Sequence, residues 1–304
     1  MINGATDELA TVRDWLRWAV SRFNESELFF GHGTDNAWDE AVWLVLATLH
    51  LPRDTLEPWL DAHLTKNERL TLLNNLQQRV VHRLPTAYLV QEAWLGPYRF
   101  YVDQRVIVPR SYFAELLESG FAPWIEDAES VTSALDLCTG SGCLAILMAH
   151  AFPNAEVDAI DISPDALAVA RRNIADYALE DRVRAVESDL FAAVKGKRYD
   201  LILSNPPYVT SEAMDALPAE YRHEPALALA AGPDGLDVVR HILAHAREHL
   251  NPGGVLAIEV GHNQDLVTEA FPELPAVWLD TEHAAGKVFL VTREDLPGPR
   301  KHRS

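Results

Sequence analysis

The sequence predicts an α/β protein: an open, mostly parallel sheet with helices on both faces, preceded by a small helical domain. Three observations carry this. From Ser133 onward, short apolar runs alternate with stretches of helical periodicity. A glycine-rich turn, Gly140-x-Gly142-x-x-Ala145, follows the first such run and opens a helix. Residues 6–90, by contrast, carry helical spacing and capping signals.

Leu9, Val12, Leu16, Ala19, Val20 and Phe23 follow the 3–4 spacing of an amphipathic helix. Trp38, Ala41, Val42, Val45, Leu46 and Leu49 repeat it behind Asp35-Asn36, and Pro52 ends that helix. Thr65-Lys66-Asn67-Glu68 is a capping box that opens a third helix, running to about Arg83. The tryptophans here (Trp15, Trp18, Trp38, Trp43, Trp59) read mostly as core, and His32 between Gly31 and Gly33 as structural. Residues 86–109 change character. Tyr88, Leu89, Trp94, Tyr98, Phe100, Val102 and Val106–Val108 are β-formers around Gly96-Pro97 and predict a hairpin linker. Pro109-Arg110-Ser111 then opens a helix from Tyr112 to about Ile125.

The alternating part follows. Strands are predicted at Ala134–Cys138, Val157–Ile160, Arg182–Glu187, Tyr199–Ser204 and Val255–Val260. Helices are predicted at Cys143–Ala151, Asp165–Tyr177, Asp234–Leu250 and Gln264–Phe271. Ala276–Leu279 and Lys287–Thr292 read as a terminal hairpin with its turn at Gly286. The domains so read are residues 1–85, helical and substrate-recognising; 86–109, a β-hairpin linker; 110–296, catalytic; and 297–304, a disordered tail.

The net charge is −19, and both parts are acidic: 8 basic against 12 acidic residues up to residue 90, then 18 against 33. Nucleic-acid binders carry a basic footprint, so direct nucleic-acid binding is not expected unless a local patch overrides the total. An acidic surface favours a cationic ligand or a basic protein partner. Apolar runs such as Ala41–Leu49 are too short to span a bilayer, and no signal peptide is read at the N-terminus, so no membrane role and a cytoplasmic location are expected. Cys138 and Cys143 are the only cysteines; one motif holds both, with neither disulfide nor zinc spacing. His241, His245 and His249 share a helical spacing and read as a solvated face rather than a metal site.

The chemistry is concentrated at Tyr199–Tyr208. A buried-strand signature ends in Asn205-Pro206-Pro207-Tyr208. The two prolines remove two backbone donors, and Asn205 before them is pushed to an extended conformation. Backbone carbonyls here have no strand to face, and the Asn205 side chain adds another acceptor. Two acceptors and the flat ring of Tyr208 suit a planar –NH2 group. Upstream, Asp136 precedes the glycine turn, Asp161 ends the next predicted strand, and Asp189 follows the third. Asp161 stands where a carboxylate grips ribose hydroxyls. The glycine pattern alone also fits a nicotinamide-dependent oxidoreductase. Carboxylates around the turn suit a cationic cofactor better than a pyrophosphate, and S-adenosyl-L-methionine carries a sulfonium and an ammonium and no phosphate.

Asp136-Leu137-Cys138-Thr139-Gly140-Ser141-Gly142, Asp161, Ser188-Asp189-Leu190-Phe191 and Asn205-Pro206-Pro207-Tyr208 resemble the amino-methylating, seven-strand (Rossmann-like) S-adenosylmethionine methyltransferases. Arg83–Tyr88, Val106–Arg110 and Tyr221–Pro225 are similar to the protein-(glutamine-N5) methyltransferases. Phe29–Ala37 and Pro109-Arg110-Ser111 resemble the branch of that family specific for ribosomal protein L3. Cys138 stands where the wider class commonly has Gly, and Leu190 where the release-factor branch often has an aromatic. The resemblance implies a cofactor site at Asp136, Cys138, Thr139, Gly140, Ser141, Gly142, Asp161, Asp189, Leu190 and Asn205. It implies catalysis by Asn205, Pro206, Pro207 and Tyr208, with no metal. The implied reaction methylates a glutamine side-chain amide in a basic protein, ribosomal protein L3. Alternatives are a release-factor glutamine methyltransferase, a nucleic-acid adenine-N6 methyltransferase, which uses similar chemistry on another –NH2, and a ribosome-assembly binding module that retains the site.

Overall fold

The computed structural model describes residues 5–281 and 284–298. The chain divides into two compact units. One holds the residues up to Ala93 together with Val102–Gln104 and Leu217–His223; the other holds Trp94–Tyr101, Arg105–Ala216 and the residues from Glu224 onward.

The first unit is helical, with helices Ala5–Glu8, Val12–Glu25, Ala37–Thr48, Lys66–His82 and Thr86–Val90. The second of these starts at Val12 rather than Leu9, because Thr11 and Asp14 form a reciprocal capping box that fixes its first turn. The Thr65–Glu68 box opens the long helix at Lys66 as expected. Trp15, Leu16, Phe23, Leu44, Leu72 and Leu76 pack into one apolar core. Trp15 and Trp43 are buried, whereas Trp38 keeps 49% of its surface exposed. His32 is buried, its ring 4.6 Å from that of Tyr221.

Arg79 crosses this unit with only 1% of its surface exposed. It ion-pairs with Glu40 and with Glu220, the latter at 3.2 Å, and donates to Phe29 O at 2.8 Å. Thr86 and Thr34 hydroxyls complete the shell of Glu40 at 2.7 and 3.1 Å. Glu220 lies in the Leu217–His223 segment, so this network fastens that segment to the helices. Burial pushes the Glu220 carboxyl up, but the Phe29 N–H and Arg79 together hold it below its ordinary value.

Residues 86–109 differ from the predicted hairpin linker. Tyr88 and Leu89 lie in the helix Thr86–Val90, because Pro85 stops the preceding helix and its carbonyl accepts from both of their N–H groups. Strands remain only at β1 (Ala93–Leu95) and β2 (Tyr98–Phe100), on either side of Gly96. Val106 and Val108 are buried but pair with no strand; the Val108 N–H donates instead to the Glu224 carboxylate at 3.1 Å.

The second unit is built on β3 (Ser133–Leu137), β4 (Glu156–Asp161), β5 (Val183–Glu187), β6 (Tyr199–Ser204), β7 (Leu250–Glu259), β8 (Val277–Thr281) and β9 (Ala284–Thr292). Their order is β5-β4-β3-β6-β7-β9-β8. The first five in that order are parallel, and β9 runs antiparallel to β7 and β8. This is the seven-strand sheet the sequence resemblance implied. The strands alternate between two cores: Leu201 and Leu203 face one, Ile202 the other. Helices Cys143–Ala151, Pro164–Asp176 and Asp237–His245 carry apolar residues into these cores. In register, Leu137 lies opposite Ile160 and Ser204, and Ser204 opposite Ile258. The residues that follow β3, β4, β5 and β6 therefore emerge along one edge of the sheet, where the strand order reverses between β3 and β6.

Three further predictions are corrected. The helix expected over Tyr112–Ile125 spans only Phe113–Glu118, because Gly120 and Phe121 are left-handed. The helix expected over Asp234–Leu250 ends at His245, and His249 lies beyond it, buried and stacked on Phe191 with ring centres 4.5 Å apart. Gly286 is not the hairpin turn but lies inside β9, where a Cβ would fall 2.0 Å from Gln264 Oε1; residues 282–283, between β8 and β9, lie outside the described residues. Residues 299–304 of the expected disordered tail also lie outside them.

Arg79→Met leaves Glu40 buried without its counter-charge and Glu220 paired only with Arg83, at 3.5 Å. The expected cost is about 3–5 kcal/mol, the range for breaking a buried ion pair from one side. Chemical denaturation measures it, and a parent-like midpoint would contradict the role assigned to Arg79. Because the Glu220 carboxyl is depressed, its contribution to stability is present above the ordinary glutamate value and is lost as pH falls through the depressed one.

Candidate active site

The turn after β3 is held by carboxylates. Asp136 is fully buried; its Oδ2 accepts from Thr139 Oγ1 at 2.6 Å and from Ala145 N at 3.0 Å, clipping the turn to the helix that follows. Its Oδ1 is buried with no partner among the described residues. Burial pushes the Asp136 carboxyl up to about 7. Gly140 N donates to Asp161 Oδ2 and Ser163 N to Asp161 Oδ1, both at 2.9 Å, so Asp161 ties the turn to the end of β4. At Gly142 a Cβ would sit 3.1 Å from that of Ala170, and Asn173 donates to Ser141 O at 2.8 Å. Close packing of turn on helix is why glycine stands there.

A cleft of about 230 Å³ opens beside this turn. Among the predicted site residues, Cys138, Gly140, Asp161, Asp189, Leu190, Asn205 and Pro207 line it. Asp136, Thr139, Ser141 and Gly142 build the turn without lining the cleft, and neither Pro206 nor Tyr208 lines it. Cys138 and Leu190 both take left-handed backbone, at φ 64° and 46°, a conformation glycine adopts at less cost. Burial, reinforced by Asp161 and Asp136, pushes the Cys138 thiol up, so it offers no thiolate nucleophile.

The lining fits S-adenosylmethionine. Asp161 and Asp189 present carboxylates toward cationic and hydroxyl groups, and Arg105 adds one guanidinium. Ile162, Leu190, Pro207 and Ala228 supply apolar walls for a flat ring. Asp161 Oδ2 accepts from Gly140 in the turn and Oδ1 from Ser163, and each oxygen has a further lone pair that suits a ribose hydroxyl. A pyrophosphate would meet two carboxylates here.

At the cleft's inner end stands Asn205, half-buried directly after β6. Its Nδ2 donates to Arg110 O at 3.4 Å. Arg110 is held in turn by a two-pronged ion pair with Glu224, both bonds 2.6 Å. Pro206 is buried, and among the described residues no backbone N–H donates to its carbonyl. Tyr208 O accepts from Asn263 Nδ2 at 2.7 Å. The Tyr208 ring lies against Gly261, where a Cβ would fall 2.7 Å from ring atom Cε2.

In the sequence, Arg110 and Glu224 stand out only within family-like motifs, with no part in the site, and no role is read for Glu259, Gly261 or Asn263. Glu259 ends β7 with 2% of its surface exposed, accepting from Ser111 Oγ at 2.5 Å and Tyr112 N at 3.1 Å. It was legible as the one charge within the apolar run Val255–Val260. Among the described residues no cluster of His, Cys, Asp or Glu is placed to hold a metal, and no helix is long and apolar enough to cross a membrane.

A family model described as "Methyltransferase small domain" matches residues 121–220. The chain is 58% identical over 298 residues to the ribosomal protein uL3 glutamine methyltransferase of Neisseria gonorrhoeae, covering 98% of this chain and 99% of that protein. It is 56% identical over 296 residues to the protein of the same description from Bordetella pertussis, covering 97% and 99%. With the corresponding protein of Bradyrhizobium diazoefficiens it shares 52% identity over 295 residues, covering 95% and 92%.

Gly261→Ala forces a methyl group into the Tyr208 ring and is expected to lower the thermal midpoint. Tyr208→Ala in the same chain should recover part of that loss, giving a coupling on the order of 0.5–3 kcal/mol. The backbone strain at Gly261, with φ 55°, remains in both. Strictly additive effects would show that the ring and the glycine do not meet.

Proposed function

Because this chain belongs to the ribosomal protein uL3 glutamine methyltransferases, we propose that it transfers a methyl group from S-adenosylmethionine to the side-chain amide nitrogen of a glutamine in ribosomal protein uL3. The observation that carries the reading within the site is the commitment of Asn205 Nδ2 to the Arg110 carbonyl, which leaves Asn205 Oδ1 to accept from a substrate. We place the reaction in the cytoplasm, where ribosomal proteins are made.

When bound, the cofactor supplies a methyl group activated by its sulfonium. An amide nitrogen is a poor nucleophile because its lone pair is delocalised into the carbonyl. The protein's task is therefore positioning and electrostatics. Asn205 Oδ1 and Pro206 O accept the two amide hydrogens of the substrate, fixing the nitrogen and the plane of the group. Pro207 and the Tyr208 ring pack on that plane. As nitrogen is alkylated it gains positive charge, so both acceptors bind the transition state more strongly than the ground state. The alkylated nitrogen is acidic, and its proton leaves through one of these acceptors to water. No strong base is required. Asp161 and Asp189 hold the cofactor, with the turn at Cys138 and Gly140 beneath it.

The helical part, residues 1–85, recognises the protein substrate in this reading. Its exposed ring at Trp38 supports the assignment, as does the overall charge of −19, which suits a basic partner.

Purified enzyme, labelled cofactor and separate uL3, release-factor and RNA substrates test the reading, with the labelled residue mapped by mass spectrometry. Label on a uL3 glutamine is expected; label on a release factor or an RNA adenine instead overturns it. Asn205→Ala should lower kcat by roughly 100- to 1000-fold, the cost of removing one preorganised partner of a developing charge. The KM for uL3 should change little. A parent-like kcat would remove Asn205 from the reacting centre.

A further inference from the structure

Glu259 is a buried carboxylate at the reacting edge for which the chemistry above has no use. Burying a charge is costly unless it is paired or hydrogen-bonded. Here the compensation comes from Ser111 Oγ and Tyr112 N, both donating to Oε2. The neighbouring polar side chain across the sheet is Asn205. Ile258 lies opposite Ser204 in the parallel β6–β7 ladder, so the register brings the next residues, Glu259 and Asn205, side by side. From that neighbouring position the Asn205 side chain favours the ionised form of Glu259, which only its N–H side can do. The other acceptor facing Nδ2 is Arg110 O. The Asn205 carboxamide thus has acceptors on its nitrogen side.

We propose that Glu259 is the positioning residue that sets which way the Asn205 carboxamide points, keeping Nδ2 inward and Oδ1 toward the substrate amide. This rests on the role proposed above for Asn205. The oxygen and nitrogen ends of a carboxamide have nearly the same shape, so packing alone does not choose between them. A charged acceptor does. Were Glu259 protonated, Oε2 would still serve Ser111 and Tyr112, while the new O–H would donate toward Asn205 and draw Oδ1 inward. Nδ2 would then face the substrate –NH2, donor against donor.

Protonation of Glu259 therefore turns the site off. Burial pushes its carboxyl up to about 7, opposed by Ser111, the Tyr112 N–H, the Arg110 guanidinium and Asn205. The Tyr112 phenol is a further titratable group acting with it, itself pushed up by burial and by Glu259. Glu259 is ionised above that value, so turnover is present on the alkaline side and lost as pH falls through about 7.

Glu259→Gln mimics the protonated state at every pH. Its Oε1 takes over the Ser111 and Tyr112 bonds, and its Nε2 faces Asn205. Above neutrality it should lower kcat about 100-fold, as for a lost transition-state partner. The KM for uL3 and the affinity for S-adenosylhomocysteine should stay within about twofold, since the variant keeps shape and volume. The acidic limb of the kcat profile should disappear. A parent-like kcat overturns the proposal. So does a limb that persists in the variant, which would assign it to Asp136. The side-chain 15N resonance of Asn205 gives a readout independent of activity: it should titrate near neutrality in the parent and not in Glu259→Gln, and a resonance flat in both overturns the proposal. If Glu259→Gln fails to bind S-adenosylhomocysteine, Ser111→Ala replaces it. That change removes one donor to Oε2 and should move the Asn205 titration to higher pH; an unmoved titration overturns the proposal. If the parent methylates no glutamine, the proposed function fails, and the resonance experiment still decides whether Glu259 orients Asn205.

Discussion

Parallel hydrogen bonding between β3, β4, β6 and β7 aligns Leu137 with Ile160 and Ser204, and Ser204 with Ile258. The rest of the site hangs on that register. Each strand ends at the same edge, so the residues next in sequence (Cys138, Asp161 at the end of β4, Asn205 and Glu259 at the end of β7) meet without any long-range search. A one-residue slip of β6 would send Asn205 to the opposite face of the sheet. Apolar strand residues buried on both faces, such as Leu201, Ile202 and Leu203, make that slip costly. The core thus does more than stabilise: it fixes the phase of the edge that carries Asn205 and Glu259.

Most of the −19 charge is spread over solvated surface, yet beside the exposed Asp189 three further carboxylates line up along this one edge: Asp136 and Glu259 buried, Asp161 partly so. Burial pushes all three carboxyls up. Apolar residues of similar volume would commonly be as stable or more so. Their partners explain why they are there. Asp136 and Asp161 accept backbone N–H groups of the glycine turn and hold it open against the helix that follows. Glu259 takes Ser111 and Tyr112 from the segment that also carries Arg110, whose carbonyl meets Asn205. Perturbed carboxyls at a cleft are a signature of function. Here the signature splits between groups that shape the cofactor cleft and one that stands beside Asn205 in the β6–β7 register.

Much of this was legible in the sequence because it rests on local rules. β6 was read at its observed bounds, since an apolar run bounded by Asp200 and Pro206 has few other foldings. The Thr65 capping box and the Gly140–Gly142 turn are likewise short-range. Errors arose where a distant partner decides. Val106 to Val108 look like a strand, but Glu224, more than a hundred positions away, takes the Val108 N–H. Gly286 looks like a turn, but it is small because Gln264 packs there. Asp136 reads as a cofactor residue by its place before the turn; its carboxylate is fully buried, with Oδ2 taken by Thr139 and Ala145 and Oδ1 without a partner among the described residues. Glu259 carried a visible signal, a lone charge in an apolar strand. Its significance required knowing that β7 lies beside β6, which sequence order does not give.

In the proposed reaction, a glutamine amide and the asparagine amide that receives it pose the same difficulty twice. Each has two ends of nearly equal shape and opposite polarity, and only one relative orientation places acceptor against donor. Proline solves half of it covalently: Pro206 presents a carbonyl that cannot turn into a donor, because its φ is fixed and Pro207 lacks an N–H. Asn205 has no such constraint. Its side chain can rotate by half a turn at little steric cost, and in water both ends would be equally satisfied. Orientation must therefore come from the polarity of whatever lies behind it. Arg110 O contributes one acceptor at 3.4 Å, a long contact for a task that needs a decisive preference. A hydrogen bond to a carboxylate is charge-assisted and roughly twice as strong as a neutral one. That difference is a physical reason for a buried glutamate to stand behind an asparagine whose own task requires no charge at all.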